Sequence, residues 1–350
     1  MFVGSTLNIA RNMFVAISLL APKLRVSSFK LVTTRLMSSR DIDFNPPQPP
    51  SFVGTPVFPD IDIESTRQLM SGEEALKRNG DENSNFVVTG ASRGIGLQIV
   101  KSLVDRSKGT ILACCRSPKD AQKLHTYLKS LDDLNAKRVH ILQLDVESTK
   151  SIAQLGESIK SDYSGRVDGL YNVAGILGDG GKTTPGPERS ITKIDPEWMQ
   201  KTMSVNFAGP LLLSQALVPM MFTKQRGKSP TKGDEVGERG KSVIANLSAR
   251  VGSISDNGLG GWYSYRCSKA ALNQATRTMA HELRRNGVWT ISLHPGTTET
   301  DLSKPFQKNV QDGRLFPVEF TVKQLLDVVD SMEEKNSGGF YDWAGKALPF

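Results

Sequence analysis

Two side chains four residues apart, Tyr265 and Lys269, have the types and the spacing for acid–base chemistry. On a helix this spacing puts them on one face, with Cβ atoms about 6 Å apart. A phenol with its ordinary pKa of about 10 is a poor acid–base group at neutral pH, and a nearby ammonium lowers that pKa because it favours the phenolate. We therefore predict a lysine-tuned phenol. The same spacing also occurs between side chains that merely pack on a helix. Tyr263 is not an alternative candidate for the phenol, because Cys267 and not a lysine stands four residues after it.

Short apolar runs alternate with helical periods from Asn85 onward. The pattern predicts strands at 86–89, 111–115, 139–144, 167–173, 242–247 and 288–293, and helices at 94–106, 121–131, 148–161, 196–222 and 265–285. Such alternation makes βαβ units and a parallel sheet covered by helices on both faces. The predicted fold class is α/β, a doubly wound three-layer Rossmann domain over residues 85–350.

The first predicted strand runs directly into a glycine-rich turn that opens a helix. Glycine permits positive φ without steric cost. The missing side chains also let a pyrophosphate approach the backbone amides at the helix N-terminus. The predicted dinucleotide contacts in this turn are Thr89, Gly90, Ser92, Arg93, Gly94, Ile95 and Gly96.

The end of the second predicted strand indicates which dinucleotide binds. A carboxylate at that position accepts from the ribose 2′-hydroxyl of NAD and repels a 2′-phosphate. This chain has Cys115 followed by Arg116, and Arg93 adds a second cation on the same side. Two guanidiniums suit a phosphate dianion, so NADP(H) is the expected cofactor. The alternative is that both arginines are solvated surface residues.

The TGxxxGIG spacing from Thr89 to Gly96 resembles the short-chain dehydrogenase/reductase family of the classical type. Further segments follow in that family's order over about residues 85–345: Asp145-Val146, Asn172-Val173-Ala174-Gly175, Val205-Asn206, Tyr265-Arg266-Cys267-Ser268-Lys269 and His294-Pro295-Gly296. The segment GSISDNGLGGWYSYRCSKAALNQ resembles the sequences of the C-factor branch of this family, which is close to the Sniffer-like carbonyl reductases.

The resemblance implies roles for individual residues. Tyr265 would exchange a proton with the substrate oxygen, and Lys269 would tune it and hold the nicotinamide ribose. Asn206 would bend its helix and carry a water into the proton relay, although packing or capping is an alternative for this side chain. The implied activity is NADPH-dependent reduction of a small or lipophilic carbonyl, or oxidation of the matching alcohol.

The family's serine at the end of the fifth strand is missing. The stretch reads Asn246-Leu247-Ser248-Ala249, so Ala249 stands where the serine is expected. Strand neighbours point to opposite faces, so Ser248 replaces it only with a local twist or bulge. Ser248 is the predicted fourth catalytic residue. The alternatives are Ser253, a slow enzyme, or an NADP-binding sensor or interaction protein that has lost turnover.

The other expected cofactor contacts follow from the family pattern. Asp145 would face the adenine amino group. The run from Asn172 to Gly175 would let the cofactor backbone pass, and the loop after the sixth strand would lie over the nicotinamide amide. The residues are Asp145, Val146, Asn172, Ala174, Gly175, Pro295, Gly296, Thr298 and Thr300, and Tyr265 and Lys269 are expected to contact the cofactor as well. Sheet packing is the other interpretation of the run that begins at Asn172, and His294 is expected to be structural.

Three loops are expected to shape the substrate site, at residues 176–195, 250–262 and 297–320. Trp262 and Phe306 are candidate apolar walls.

Residues 1–40 contain six Lys or Arg, six Ser and no acid, which is the composition of an organelle transit peptide. The stretch 35–39 resembles a mitochondrial processing site, so the mitochondrion is expected. A plastid is the alternative, and the cytoplasm follows if this segment is not a targeting signal. Residues 41–84 are expected to form a Pro-rich linker and extension, and residues 224–241 an exposed polar insertion.

Composition excludes several classes of partner. Without the six basic residues of the first forty, 38 Lys and Arg face 36 Asp and Glu, so no nucleic-acid partner is expected. Three Cys and four His show no metal-ligand spacing. No apolar run approaches the ~20 residues of a membrane span, so no membrane partner is expected. The resemblance implies a homodimer or homotetramer formed through helices 196–222 and 265–285.

Overall fold

The computed structural model describes residues 71–223 and 239–350. The predicted transit peptide, the first thirty residues of the predicted linker and most of the predicted polar insertion lie outside these ranges. The statements below concern the described residues.

A seven-stranded parallel sheet forms the centre of the domain, in the order β3-β2-β1-β4-β5-β6-β9. Two short strands pair separately, β7 with β8. The strands are β1 Asn85–Thr89, β2 Thr110–Cys115, β3 Val139–Gln143, β4 Gly169–Asn172, β5 Ser242–Leu247, β6 Val288–His294, β7 Thr297–Thr298, β8 Leu315–Phe316 and β9 Gly339–Asp342. The strand order reverses between β1 and β4, and in open α/β sheets ligands bind in the crevice at such a switch point.

Helices cover both faces of the sheet. They are α1 Glu73–Gly80, α2 Gly94–Arg106, α3 Gln122–Lys129, α4 Asp133–Ala136, α5 Thr149–Asp162, α6 Pro196–Met203, α7 Gly209–Met221, α8 Tyr263–Leu283 and α9 Val318–Asp330. A π-helical segment, Ser204–Ala208, joins α6 to α7. The predicted doubly wound Rossmann fold is confirmed.

The apolar runs of the sequence become strands that are buried on both faces. In β1 the side chains of Phe86 and Val88 pack into one core cluster, and Val87 packs into the other. Fully burying such a side chain contributes about 1.5–3 kcal/mol relative to leaving it exposed. This two-sided burial explains why the strands are continuously apolar rather than alternating.

The folded domain begins before Asn85, the boundary that the sequence predicts. Arg78 of α1 is 1% exposed, lies 3.2 Å from the carboxylate of Asp330, and donates to the Lys241 carbonyl at 3.1 Å. Residues 72–84 therefore belong to the domain and not to a linker. The sequence pattern missed them because the partner of Arg78 is 252 positions away in the chain.

The described end of the polar insertion is not solvated as predicted. The Arg239 guanidinium donates to the carboxylate of Asp168 at 2.8 Å and to the Val167 carbonyl at 2.7 Å. Asp168 is fully buried and also binds Arg166. Arg239 therefore helps to neutralise a buried carboxylate at the N-terminal edge of the sheet.

One described helical stretch, Pro196–Met221, is by length and composition apolar enough to cross a membrane, with a mean hydropathy of 1.2 over an 18-residue window. The expectation that no such run exists is therefore wrong by this criterion. Leu213, Leu217 and Met221 of this stretch are fully buried in the core cluster under the sheet. Core packing accounts for the apolar composition of these residues.

Candidate active site

The glycine turn after β1 forms a cradle that disfavours side chains, by its backbone conformation at Gly90 and Gly94 and by crowding at Gly90 and Gly96. Gly90 and Gly94 have φ of +66° and +55°. A Cβ on Gly90 would lie 3.1 Å from the Cα of Ala174, and one on Gly96 would overlap the carbonyl of Gly90. The first-turn amides of α2 receive no side-chain cap, and such amides lack intrahelical acceptors. The cradle therefore fits a dinucleotide pyrophosphate at this helix N-terminus.

Thr89 joins the two strands that flank the crevice. Its hydroxyl accepts hydrogen bonds from the backbone N–H groups of Val173 and Ala174, at 2.9 and 3.0 Å. Thr89 therefore fixes the distance between the ends of β1 and β4, whereas the sequence predicted a cofactor contact.

The end of β2 carries cations and no acid. Arg116 is exposed and follows the buried Cys115. Arg93 is 70% exposed, and its guanidinium lies 3.8 Å from the exposed carboxylate of Asp301. An exposed pair at this distance contributes little, so both guanidiniums are available to a phosphate. Ser92 and Ile95 in the same turn are half-exposed, and Ile95 packs against the core.

The Asn172 side chain lies within a buried polar network. Its amide donates to Asn246 at 2.8 Å, and the Asn246 amide donates to the Thr276 hydroxyl at 2.8 Å. All three residues are at most 2% exposed. The network joins β4, β5 and α8, so the sheet-packing interpretation holds for Asn172.

Asp145 and Val146 follow β3 at the same edge of the sheet. Asp145 is half-buried, and its carboxylate accepts from the backbone N–H of Glu147 at 3.0 Å. Val146 is 7% exposed and packs in the core, and its carbonyl leaves no room for a Cβ on Gly209. Of the two, only Asp145 has a polar side chain in reach of the crevice edge.

Gly175 marks the point where three parts of the site meet. A Cβ at this position would lie 3.2 Å from Oδ1 of Asn206 and 3.7 Å from Nζ of Lys269. Glycine thus brings the end of β4 against both polar groups. Two predicted catalytic residues, Asn206 and Lys269, and one predicted cofactor residue are together here.

The Asn206 side chain is fully buried and clamps the backbone of Ile176. Oδ1 accepts from the Ile176 N–H and Nδ2 donates to the Ile176 carbonyl, both at 2.8 Å, and Nδ2 also lies 3.2 Å from the Ser268 hydroxyl. Through these bonds the Asn206 side-chain amide positions the backbone of Ile176. The main-chain carbonyl of Asn206 is a second group through which this residue can contact a water.

The main chain around Asn206 is distorted from α-helical geometry, and Pro210 explains the distortion. Asn206 lies in the π-helical segment, and Pro210 stands four residues later. Proline has no N–H for the carbonyl four residues before it, and its ring clashes with that carbonyl. The carbonyl of Asn206 is therefore released from the α-helical pattern. The sequence predicted a break near Pro210, and the structure has the distortion one turn earlier.

Tyr265 and Lys269 lie in the first two turns of α8. The Lys269 ammonium is 5.7 Å from the centre of the Tyr265 ring and donates to the Leu247 carbonyl at 2.7 Å. Burial lowers the pKa of Lys269 to about 8. Burial also raises the pKa of Tyr265. The expectation that the lysine lowers the phenol pKa is therefore wrong for this state, because loss of hydration is the dominant effect on the phenol.

Ser248 is 2% exposed, and its buried hydroxyl has no hydrogen-bond partner. Its neighbour Ala249, in extended conformation, is half-exposed at the start of the following loop. Because successive side chains of an extended chain point to opposite sides, the Ala249 side chain faces solvent and the Ser248 side chain faces the core. Ser253 is also 2% exposed, and its hydroxyl accepts from the Asp256 N–H at 3.1 Å. The described contacts bring neither serine to Tyr265.

The two candidate apolar walls are in contact. The ring centres of Trp262 and Phe306 are 5.3 Å apart, and the Trp262 ring packs edge-on against Tyr265 at 6.2 Å. Trp262 has a left-handed φ of 56° that aims its ring at this cluster from the N-terminus of α8. An aromatic surface therefore adjoins the phenol.

The loop after β6 is held by its own small sheet. Gly296, with φ of +71°, packs so closely on the rings of Phe316 and Trp343 that a Cβ would lie 2.7 Å from the first. The Thr298 hydroxyl lies 3.0 Å from that of Thr321. Thr300 approaches Gly94, where a Cβ would be 3.6 Å away. Of the predicted residues in this loop, Thr300 therefore reaches the glycine cradle, whereas Gly296 and Thr298 pack within the loop and against α9.

His294, which the sequence predicts to be structural, ends β6, and its buried Nδ1 has no hydrogen-bond partner. Burial, with help from the charge of Arg250, lowers its pKa to about 4, so the imidazole is neutral at neutral pH. The described residues also contain no group of three or more side chains that could hold a metal ion.

Residues 84–311 match the family model described as short chain dehydrogenase. The chain belongs to the short-chain dehydrogenase family. It is an oxidoreductase of that family in the general sense, and the predicted resemblance to the C-factor and carbonyl-reductase branch is confirmed.

Similar proteins include two solved carbonyl reductases. The NADPH-bound carbonyl reductase from chicken fatty liver is 33% identical, covers 77% of this chain and 99% of its own, and superposes with a TM-score of 0.62. The carbonyl reductase Sniffer of D. melanogaster is 27% identical over 77% of this chain and all of its own, with a TM-score of 0.64. The C-signal of Myxococcus xanthus is 33% identical over 187 residues, which are 53% of this chain and 95% of its own.

Proposed function

We propose that this protein is an NADPH-dependent carbonyl reductase for small or lipophilic carbonyl compounds. The observation that carries the proposal is the meeting of Lys269, Asn206 and Gly175 beside Tyr265, at the crevice that the glycine cradle opens. The similar chicken and fly proteins are carbonyl reductases, which supports the same reaction type here.

NADP(H) is the proposed cofactor. The glycine cradle would hold its pyrophosphate, and Arg93 and Arg116 would bind the 2′-phosphate. No carboxylate stands at the end of β2 to select the free 2′-hydroxyl. The chicken carbonyl reductase is described with NADPH bound. Bound NADPH supplies the hydride that reaches the carbonyl carbon.

Tyr265 is the proposed proton donor. The phenol is protonated at neutral pH, since burial raises its pKa above the ordinary value of about 10, and the protonated form is the one that reduction of a carbonyl requires. As the carbonyl oxygen gains charge, the phenol O–H bond breaks and the proton moves to that oxygen, so the product is the alcohol. Lys269 then stabilises the phenolate left behind, because its ammonium lies over the same ring.

Reprotonation of Tyr265 uses groups that the structure brings together. Lys269 has three N–H donors, one of which is engaged by the Leu247 carbonyl. The released main-chain carbonyl of Asn206 is the proposed acceptor for a water that passes a proton to this lysine. A buried relay of this kind keeps bulk water away from the reacting atoms.

The substrate class follows from the aromatic surface beside the phenol. Trp262 and Phe306 give an apolar surface adjacent to Tyr265. Burial of apolar area on such rings favours aromatic or long-chain aldehydes and ketones over small hydrophilic ones.

A second candidate function is an NADP-binding sensor or interaction protein with weak turnover. Ala249 favours it, because a donor to the developing oxyanion is missing at the usual place. Loss of one such donor costs about 3 kcal/mol in comparable sites. The intact groups at Tyr265, Lys269 and Asn206 favour the enzyme.

The experiment is a panel of aldehydes and dicarbonyls with purified protein and NADPH, followed by absorbance at the nicotinamide band, together with thermal shift assays in NADPH and NADH. Carbonyl-dependent NADPH oxidation and larger stabilisation by NADPH are expected. Stabilisation by NADPH without turnover on any carbonyl would favour the sensor. Equal or larger stabilisation by NADH would contradict the role of the two arginines.

Localisation and assembly are further parts of the proposal. Residues 1–40 would direct the protein to the mitochondrion, with the plastid as alternative; a reporter fused to this segment tests both, and a cytosolic signal rejects targeting.

A homodimer or homotetramer would form through α7 and α8. A described surface groove between them is mainly apolar and is lined by residues that include Phe207, Leu211, Ala271 and Met279. Light scattering of the purified protein tests the assembly.

A further inference from the structure

Glu188 is a buried acidic residue that the mechanism above does not use. It lies in the loop between β4 and α6 and is 2% exposed. Its carboxylate accepts a hydrogen bond from the backbone N–H of Ser264 at 3.1 Å and a second one from the Ser264 hydroxyl. Its own main-chain carbonyl accepts from the N–H of Trp262. One loop residue thus binds the first turn of α8 in three places.

Helix α8 depends on this long-range contact because it has no local cap. Trp262 occupies the N-cap position in a left-handed conformation, and its side chain makes no capping hydrogen bond. The first N–H groups of a helix have no intrahelical acceptors. A carboxylate satisfies one of them and interacts favourably with the helix dipole. Glu188 therefore supplies from 76 residues away what a Ser or Asp usually supplies locally.

The contact joins the two sides of the proposed substrate site. Tyr265 follows Ser264 directly, and Trp262 precedes it by two residues. The loop that carries Glu188 also approaches the second aromatic wall, since a Cβ on Gly180 would lie 3.9 Å from Phe306. Movement of this loop along α8 would therefore shift the phenol against the aromatic surface.

We propose that Glu188 is a positioning residue that holds Tyr265 and Trp262 in register with the substrate-side loop. The proposal rests on the proposed function, since it requires Tyr265 as the proton donor. A merely structural role would lower stability and leave the turnover of the folded protein unchanged.

The test compares Glu188→Ala, Glu188→Gln, Ser264→Ala and the double variant Glu188→Ala/Ser264→Ala. Asp132→Ala is the matched control, because the Asp132 carboxylate caps α4, receiving the Asn135 N–H at 2.8 Å on an exposed surface. Each variant is measured for kcat and KM with an aromatic aldehyde, for Kd of NADPH by fluorescence titration, and for amide hydrogen exchange of a peptide spanning residues 262–268.

Glu188→Ala is expected to lower kcat/KM at least about tenfold, since a displacement of 1 Å can cost about a hundredfold. The Kd for NADPH should change far less than kcat/KM, because the glycine cradle, Arg93 and Arg116 lie outside α8 and supply most of the proposed cofactor contacts. Exchange in residues 262–268 should rise. Glu188→Gln should restore most of the activity, because its amide can both accept from the Ser264 N–H and donate to the hydroxyl. The double variant should be no worse than Glu188→Ala alone, and Asp132→Ala should change none of these readouts.

Two results would overturn the proposal. One is faster exchange in residues 262–268 with unchanged kcat and KM, which would make Glu188 a structural cap only. The other is unchanged exchange in Glu188→Ala, which would show that the cap does not hold α8. If wild-type protein binds NADPH but reduces no carbonyl, the proposed function fails and takes the catalytic part of this proposal with it. The exchange measurement then still decides whether Glu188 anchors the helix.

Discussion

The ammonium of Lys269 lies over the ring of Tyr265, 5.7 Å from its centre, and not beside a solvated phenolate. Both side chains have lost most of their hydration, which raises the pKa of the phenol and lowers that of the ammonium to about 8. At neutral pH the pair is therefore a protonated phenol next to a lysine that can gain or lose a proton. This arrangement suits proton donation to a carbonyl.

The rate of reduction should fall as pH rises through about 8, where Lys269 loses its charge. Below that pH the ammonium is present and stabilises the phenolate that forms when Tyr265 donates. In single-turnover reduction, which needs no reprotonation of Tyr265, Lys269→Arg should move the descending limb of the pH profile well above pH 8, because a guanidinium stays charged in proteins. An unchanged limb in this variant would assign the ionisation to another group.

The preference for NADPH should depend on Arg116. Arg116→Glu removes one charge-assisted hydrogen bond to the 2′-phosphate and adds repulsion, and it should weaken NADPH binding by about tenfold to a hundredfold. NADH binding should change little. Isothermal titration of both dinucleotides measures this, with Arg285→Glu as a control at an exposed site far from the cradle. Equal losses for both dinucleotides would contradict a contact with the 2′-phosphate.

Ala249→Ser should raise kcat, by up to about a hundredfold if the missing oxyanion donor limits the reaction. Ala249 is half-exposed at the end of β5, whereas the Ser248 hydroxyl is buried. Ser248→Ala should therefore leave kcat nearly unchanged. Steady-state kinetics of the two variants show whether a donor at position 249 or the Ser248 hydroxyl contributes to kcat. A large loss of activity in Ser248→Ala would instead establish Ser248 as the fourth catalytic residue, as the sequence predicted.

Stability should decrease in acid partly through His294. Its folded-state pKa is lowered to about 4 from the ordinary 6.5, so its contribution is fully present above pH 6.5 and is lost as pH falls toward 4. In urea unfolding, His294→Asn should show a smaller loss of free energy of unfolding over this range than wild type. The carboxylates titrate in both proteins, so the difference isolates the histidine. Parallel pH curves would rule out this contribution.

Removing Asp330 should destabilise the domain by about 3–5 kcal/mol, because buried Arg78 would lose its ionic partner. Asp330 is 4% exposed and also lies 3.2 Å from Arg106. The variant Asp330→Ala is measured by chemical denaturation. Asp327→Ala is the control, because Asp327 pairs with Arg106 nearer the surface and does not contact Arg78. A loss no larger than that of the control would show that α1 does not depend on this pair.

The fold and the cofactor crevice could be predicted because their signals are local. Strands buried on both faces are apolar throughout. A Cβ is crowded at Gly90 and Gly96, and Gly94 has a left-handed φ that disfavours other residues. The direction of the Tyr265 pKa could not be predicted, since burial depends on the whole domain. The same holds for Glu188 and Arg78, whose partners lie 76 and 252 residues away. Pro210 was a visible signal, but its effect on the carbonyl of Asn206 shows only in the helix geometry.

The most direct test of the central claim is NADPH oxidation by wild type and by Tyr265→Phe with the best carbonyl substrate, with Kd for NADPH measured alongside. Tyr265→Phe removes one oxygen and keeps the ring against Trp262. We predict an unchanged Kd and a kcat lower by about a hundredfold to ten-thousandfold, the contribution typical of a general acid. Equal rates of substrate-dependent NADPH oxidation by the two proteins would contradict Tyr265 as the proton donor.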